Sequence, residues 1–537
     1  MQSLSLVTLG SLAACGGGGG DGGGEPAPSG PAVKATVPAS DQSEVSLQAQ
    51  VAARFDTDVL GTSVSESSFT LRDAAGLTVP STVTFDGENN VATLQPGHEL
   101  DLLTRYTATA TTAITDLAGD PMAADHAWNF TTQDGMWREA ELIETDNTGI
   151  ASAVEIAAGT DGNAIAVWSQ SIDDRWRVVA NRFVAGSGWE AAQIIDSGVG
   201  GRSPDVAVDQ DGNIMAVWID YYGTIKHVWA RRYVSDSGWQ SAQMIETNDS
   251  ASADYPRIAL DSTGNGLAVW NQGGDIWANR FTTDGGWAVA QKNKDFMSLS
   301  GFRPQVGLDQ AGNALILWSQ SNGGSNYDVV ATRYIAGLGW ETANSIESSS
   351  GNTSSPQLSV DASGNALAIW KQYNGTDWDI YANLYVAGTG WQEGLLVASD
   401  TGSSSLPRVS LNDAGAGMVV WAHHVGSTIY NVVARAYSFD GGWATGQLIQ
   451  SGNDKSSLPQ VAVDDAGNAM AIWSQSSKMH SNRYVEGQGW QTARLIKGDG
   501  GSATYSQLTI GAGGKALAAW AQNGESVRDD IWASWFE

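Results

Sequence analysis

Residues 204–239 read PDVAVDQDGNIMAVWIDYYGTIKHVWARRYVSDSGW, and close relatives of this stretch occur eight times between Trp137 and Glu537. Val206 and Val208 end a strand that runs into Asp209-Gln-Asp-Gly-Asn213, a polar turn whose residue types tolerate tight backbone. Residues 214–218 form a nearly continuous apolar run of strand length, as expected of a strand covered on both faces. Residues 227–234 give a third β-rich segment, and 239–245 a fourth after a Ser-Gly turn. Four strands every fifty residues or so is the period of a propeller blade.

Two tryptophan series set the count. Trp168, Trp218, Trp270, Trp318, Trp370, Trp421, Trp473 and Trp520 mark second strands; Trp137, Trp189, Trp239, Trp287, Trp340, Trp391, Trp443 and Trp490 mark fourth strands. The series are out of phase, so the region opens on a lone fourth strand and ends on three strands without one. A ring closed by borrowing leaves no open sheet edge. The expected architecture is therefore all-β, with an eight-bladed propeller closed by its N-terminal outer strand. These positions take 16 of the 23 tryptophans, and large rings repeated at fixed blade positions read as core rather than as a sugar platform.

The chain before the repeats divides three ways. Residues 1–15 carry a short apolar run, too short to span a bilayer, then Leu12-Ala-Ala-Cys15. This resembles the lipobox of bacterial lipoproteins, which implies lipidation of Cys15, the only cysteine. Gly16 after it implies, by the same resemblance, outer-membrane sorting in a Gram-negative envelope. No Lys or Arg precedes the apolar run, a departure suggesting that the true start lies upstream. Residues 16–30 are a Gly-rich tether. Residues 31–133 alternate apolar and polar positions at 51–55, 69–71, 91–94 and 106–110, as in a small β-sandwich. The landmarks ARFDTDV (53–59), ATLQP (92–96), YTATA (106–110), DLAGD (116–120) and WNFTT (128–132) resemble, in order, the bacterial Ig-like domain of the SbsA type. That resemblance implies a spacer or accessory module on a secreted or surface protein.

The propeller, 134–537, carries its variation in the hairpins between second and third strands. Those hairpins share a face with the loops entering each blade, and the first strand must enter from the other face. The sandwich and tether are thus expected to hold that other face toward the membrane and present the hairpins outward. Measured from the second-strand Trp to the equivalent small third-strand residue, the hairpins of blades three and seven are short (8) and the rest long (12 or 13). Variable loops on a rigid scaffold are the usual seat of function. The candidate ligand-binding residues are Asp220, Tyr221 and Tyr222 in blade two, Tyr327 in blade four, Tyr373 and Trp378 in blade five, and His423 and His424 in blade six. Aromatics beside amides and carboxylates suit a glycan, peptide or surface-protein partner; ordinary polar hairpins are the competing reading.

Sharper chemistries find less support. His423-His424 lacks the ligand count of a zinc site, so neither metal nor cofactor is expected. The recurring Asp-x-x-Gly-Asn (Asp209, Asp261, Asp309, Asp361, Asp464) runs into apolar residues without the later carboxylate of an EF-hand loop and reads as a turn. Its spacing also fails the sialidase Asp-box and the tryptophan-docking motif of eight-bladed quinoproteins. Arg182, Arg232, Arg280, Arg333 and Arg483 recur at one blade position, with Leu384, Ala436 and Trp535 elsewhere, which argues for structural pairing. With 28 basic against 58 acidic residues, the net charge of −30 repels nucleic acid. First strands look regular (Val206, Ile258, Val306, Leu358, Val409, Val461), whereas enzymatic propellers break their symmetry. The expectation is a monomeric, lipid-anchored binding protein with no catalytic residues; the alternative is a polysaccharide hydrolase or lyase working at the channel mouth.

Overall fold

The structure is a computed structural model and describes residues 30–537, apart from 75, 147–148, 160, 199, 249, 293–299, 349, 400–401, 426–428, 440 and 524–527. Cys15 and the tether lie outside the described residues. Two compact units result, one taking in 30–42, 48–98 and 106–130, the other 43–47, 99–105 and 131–537. Among the described residues there are strands and two 3-10 turns but no α-helix.

The sandwich has two four-stranded antiparallel sheets. One orders Val33–Val37, Val51–Phe55, Val91–Pro96 and Ser81–Asp86; the other Gln42–Val45, His126–Thr132, Arg105–Ala110 and Phe69–Arg72. Alternate residues point inward, as the period of two demands: Val51, Ala53 and Phe55 are buried while Arg54 is exposed.

The repeats build eight sheets, each a blade of four antiparallel strands. Blade two is typical, with Arg202–Val208 innermost, then Ile214–Tyr222, Ile225–Val234 and an outer edge broken into Gly238–Trp239 and Gln243–Met244. The second strands are buried around their tryptophans, and their eight indoles are at most 2% exposed. At about 25 cal/mol per Å² and roughly 150–250 Å² each, such a ring contributes about 4–6 kcal/mol of gross burial, outweighing the ~1 kcal/mol of its N–H hydrogen bond. Packing, not polar contact, therefore fixes the tryptophans, as their repetition implied.

The eighth sheet, Ala503–Ile510, Ala516–Asn523 and Asp529–Phe536, is completed by Glu141–Leu142, with Trp137 bridging to Phe536. In the other blades the outer Trp meets a third-strand aromatic ring, as Trp189 meets Phe183 at 5.6 Å and Trp239 meets Tyr233 at 5.5 Å. Trp137 meets Phe536 at 5.6 Å in the same way, so the borrowed strand reproduces the contact the chain's end lacks. Ring closure between blades comes from side chains. Leu517, Ile531 and Trp535 of blade eight share one core with Trp168, Val179 and Phe183 of blade one.

The repeated polar residues are clips. Asp209 accepts the N–H of Asp211 (3.0 Å) and Asn213 (2.8 Å) on one oxygen and the Asn213 amide (2.8 Å) on the other. Asn213 in turn accepts the Ser235 N–H, tying the first turn of the blade to its third. The repeated arginines reach the next blade: Arg182 lies 4.2 Å over Tyr233, Arg280 5.3 Å over Tyr334, Arg333 5.7 Å over Tyr385 and Arg483 5.0 Å over Phe536. Where blade eight has Trp535 instead, its ring packs at 4.4 Å on Phe183. These turns define one face of the ring. Gly135 belongs to it, beside the Phe536 ring, whereas Gly200 lies by Tyr221 on the opposite, hairpin face.

Candidate binding face

In six blades the second-strand indole N–H donates to a glutamine two residues on, as Trp168 does to Gln170, Trp270 to Gln272 and Trp370 to Gln372, all at 3.0 Å. That glutamine's amide then holds the loop entering the blade, Gln272 donating to the carbonyls of Asn248 (2.7 Å) and Ala251 (2.9 Å). The exceptions are blades two and six, where the position is taken by Asp220 and His423.

Two of the candidates hold this latch position, and both are buried, Asp220 1% and His423 6% exposed. Asp220 accepts the Ser197 hydroxyl (2.7 Å) and the Tyr221 N–H (2.8 Å), and burial pushes its carboxyl up. His423 Nδ1 meets the Ser404 hydroxyl at 3.2 Å. The sequence places both on a hairpin strand, but the period of two turns them inward. The Tyr222 side chain lies outside what is described.

The remaining candidates stay on the hairpin face. Tyr221 is 36% and Tyr373 39% exposed. Tyr327 is half-buried, edge-on to Phe302 at 5.8 Å. Trp378 sits between Tyr373 (5.6 Å) and the Lys371 ammonium, 4.3 Å over its ring. The His424 ring lies 4.0 Å from that of Tyr430, tilted by 59°, with Nε2 3.0 Å from the Ser405 hydroxyl. Blades four, five and six are consecutive, so Tyr327, Tyr373, Trp378 and His424 fall in one arc. Tyr221 stands apart across blade three, whose hairpin is a bare Gly273-Gly274 turn.

Sequence reading missed the innermost strands. Each carries a β-bulge, with one non-glycine residue at φ between 49° and 58°: Ala153, Ser203, Tyr255, Arg303, Ser355, Leu406, Leu458 and Tyr505. Such backbone costs of order 1–3 kcal/mol per residue and re-aims the side chain it carries. Tyr255, Arg303 and Ser355 together line a cavity of about 340 Å³ with Phe302 and Tyr327. Two residues further along lies a level that is not uniform at all: Glu155, Asp205, Arg257, Gln305, Gln357, Arg408, Gln460 and Gln507. Arg257 donates to Glu155 (3.1 Å) and Asp205 (3.0 Å), Gln507 to Glu155 (2.6 Å), and Arg408 to Gln460 (3.1 Å). Burial pushes both carboxyls up against the pull of the guanidinium, which the two acids hold charged. The apolar residue after each of these is regular, and that regularity hid the charge pattern one position before it.

Comparison with known proteins bears mainly on the first unit. Residues 27–132 match the bacterial Ig-like domain family. No curated protein matches the chain. Among solved structures, the chain is similar to a protein of unknown function from Dyadobacter fermentans (11% identity, 75% of this chain and 99% of that one, TM-score 0.41). It is similar also to an ulvan-degrading polysaccharide lyase (13%, 68% and 94%, 0.42) and to the WD40 domain of SCAP from fission yeast (9%, 74% and 94%, 0.44).

Proposed function

We propose that the chain is a non-enzymatic binding protein of the cell envelope, anchored by a lipid on Cys15, whose hairpin face engages a glycan. The observation that carries this reading is the arc of Tyr327, Tyr373, Trp378 and His424 on three consecutive blades, rings set beside hydroxyls and amides on a rigid ring. A glycan array probed with the full chain tests it, each hit being assayed for cleavage products. Saturable binding without product supports the reading; absence of binding to any glycan sinks it. Cys15→Ser is expected to release the protein from membranes and to abolish labelling by a fatty-acid analogue.

A second reading, a polysaccharide hydrolase or lyase, is favoured by one observation. The level holding Glu155, Asp205, Arg257 and Arg408 breaks the symmetry of the innermost strands, the asymmetry expected of an enzymatic propeller. Product release that disappears in Glu155→Gln, while binding persists, would establish it.

A further inference from the structure

We propose that the hairpin face of blades three to seven is a site for an acidic polysaccharide, with uronate or sulfate groups held by Arg303, Lys371, His424 and Lys455 and sugar rings by Tyr255 and Tyr373. The inference rests on the glycan-binding reading and names its ligand class.

Acidic groups outnumber basic ones 58 to 28, so several cations gathered outside ion pairs are unexpected on this surface. Some basic residues elsewhere are ion-paired, Arg177 with Asp196 at 2.8 Å, Lys226 with Asp254 at 2.6 Å and Lys292 with Asp275 at 2.5 Å. Among the described residues, none of the four arc cations lies in an ion pair. Burial and the Arg303 charge hold the Lys371 ammonium below its usual range; burial, His423, Lys371 and Lys455 do the same to His424. Carboxylates do lie nearby: Asp254 pairs with Lys226, Asp377 accepts the Ser403 hydroxyl (3.1 Å), Asp379 accepts the Asn374 amide (2.8 Å), and exposed Asp454 precedes Lys455 in the chain.

Aromatic rings accompany the charges. Tyr255 is 47% exposed with Arg303 at 5.7 Å, Tyr373 is 39% exposed at the Trp378–Lys371 stack, and Lys455 lies 4.7 Å from Tyr430. Open rings on blades three and five, with cations on blades four to seven, exceed the reach of one small anion and fit a chain that repeats both sugar ring and negative charge. Single-stranded nucleic acid repeats ring and charge too, and the net charge of −30 opposes it as it opposes any polyanion, so the experiment carries it as the competing ligand.

Binding of the full chain to polygalacturonate, methyl-esterified polygalacturonate, dextran sulfate and dextran tests this, at about 20 and about 300 mM salt. The acidic polymers are expected to bind at least about tenfold tighter than their neutral counterparts and to weaken in salt. Arg303→Gln/Lys371→Gln is expected to lose about tenfold on the acidic polymers, with Lys371→Arg retaining affinity and Arg175→Gln on blade one unchanged. Equal, salt-insensitive binding of neutral polymers would overturn the inference and leave the glycan reading standing. Binding of no polymer would overturn the inference while the glycan array decides the reading beneath it, and single-stranded DNA held as tightly as polygalacturonate would overturn the assigned class.

Discussion

At the scale of single residues the blades differ most where the outer edge meets the start of the third strand. There Arg177 faces Asp196 and His227 faces Glu246, but Glu144 faces Asp530 and Glu347 faces Asp328. Burial, with the neighbouring aspartate adding to it, pushes the Glu144 carboxyl up to about 9 and that of Glu347 to about 8. Each glutamate keeps its proton at neutral pH when folded and releases it near 4.5 when unfolded. The folded state therefore binds more protons between those values, and stability drains as pH rises from about 4.5 to 8–9. Glu144→Gln/Glu347→Gln keeps a donor in each place without the penalty. Its Tm should exceed the parent's by roughly 2–4 °C at pH 8 and by little at pH 5, flattening the Tm–pH curve. A parallel curve, shifted equally at both ends, would show that the glutamates are ionised.

At the scale of elements, strands and their order were legible because each blade repeats the same burial pattern, and the out-of-phase tryptophans announced the borrowed edge. The outer strand was misjudged in one respect. Residues 239–245 read as a single segment, yet Gly238–Trp239 and Gln243–Met244 pair separately with the third strand, joined between only by the Gln240 N–H donating to the Arg232 carbonyl (2.8 Å). The inward turn of Asp220 and His423 was hidden for another reason: a hairpin strand presents alternate residues to opposite sides, and length alone does not say which. The arginine clips were legible as structural from their recurrence, and the positions lacking one can now be used. Ala436 in blade six faces a cavity of about 270 Å³ lined by Tyr484, Asp465 and Glu486, the place where other blades set an arginine over the next blade's ring. Ala436→Arg is expected to restore the stack and to stabilise by about 0.5–1 kcal/mol, read as a rise in denaturation midpoint. An unchanged or lowered midpoint would mean that the clip contributes nothing there.

At the scale of the whole molecule, eight sheets that exchange no ladder hydrogen bonds among the described residues must be kept in register by their shared cores and by whatever meets at the axis. Arg257 spans three blades, reaching from blade three to Asp205 in blade two and Glu155 in blade one, while Gln507 brings in blade eight across the point where the ring closes. Removing the guanidinium leaves two carboxylates facing each other among packed strands. Arg257→Met should therefore cost about 2–4 kcal/mol, less than the full cost of breaking a buried pair because the arginine side chain is 36% exposed. The sign of the pH dependence follows from the same groups. Without Arg257, burial and mutual repulsion raise both carboxyls further, so the variant regains stability by protonating them as pH falls and loses it as pH rises. Its deficit against the parent should be smaller at pH 5 than at pH 8, and Glu155→Gln/Asp205→Asn in the same chain should remove most of it at both. A deficit independent of pH, or undiminished by neutralising the acids, would assign Arg257 to packing alone and leave ring closure to the apolar cores and the Trp137–Phe536 contact.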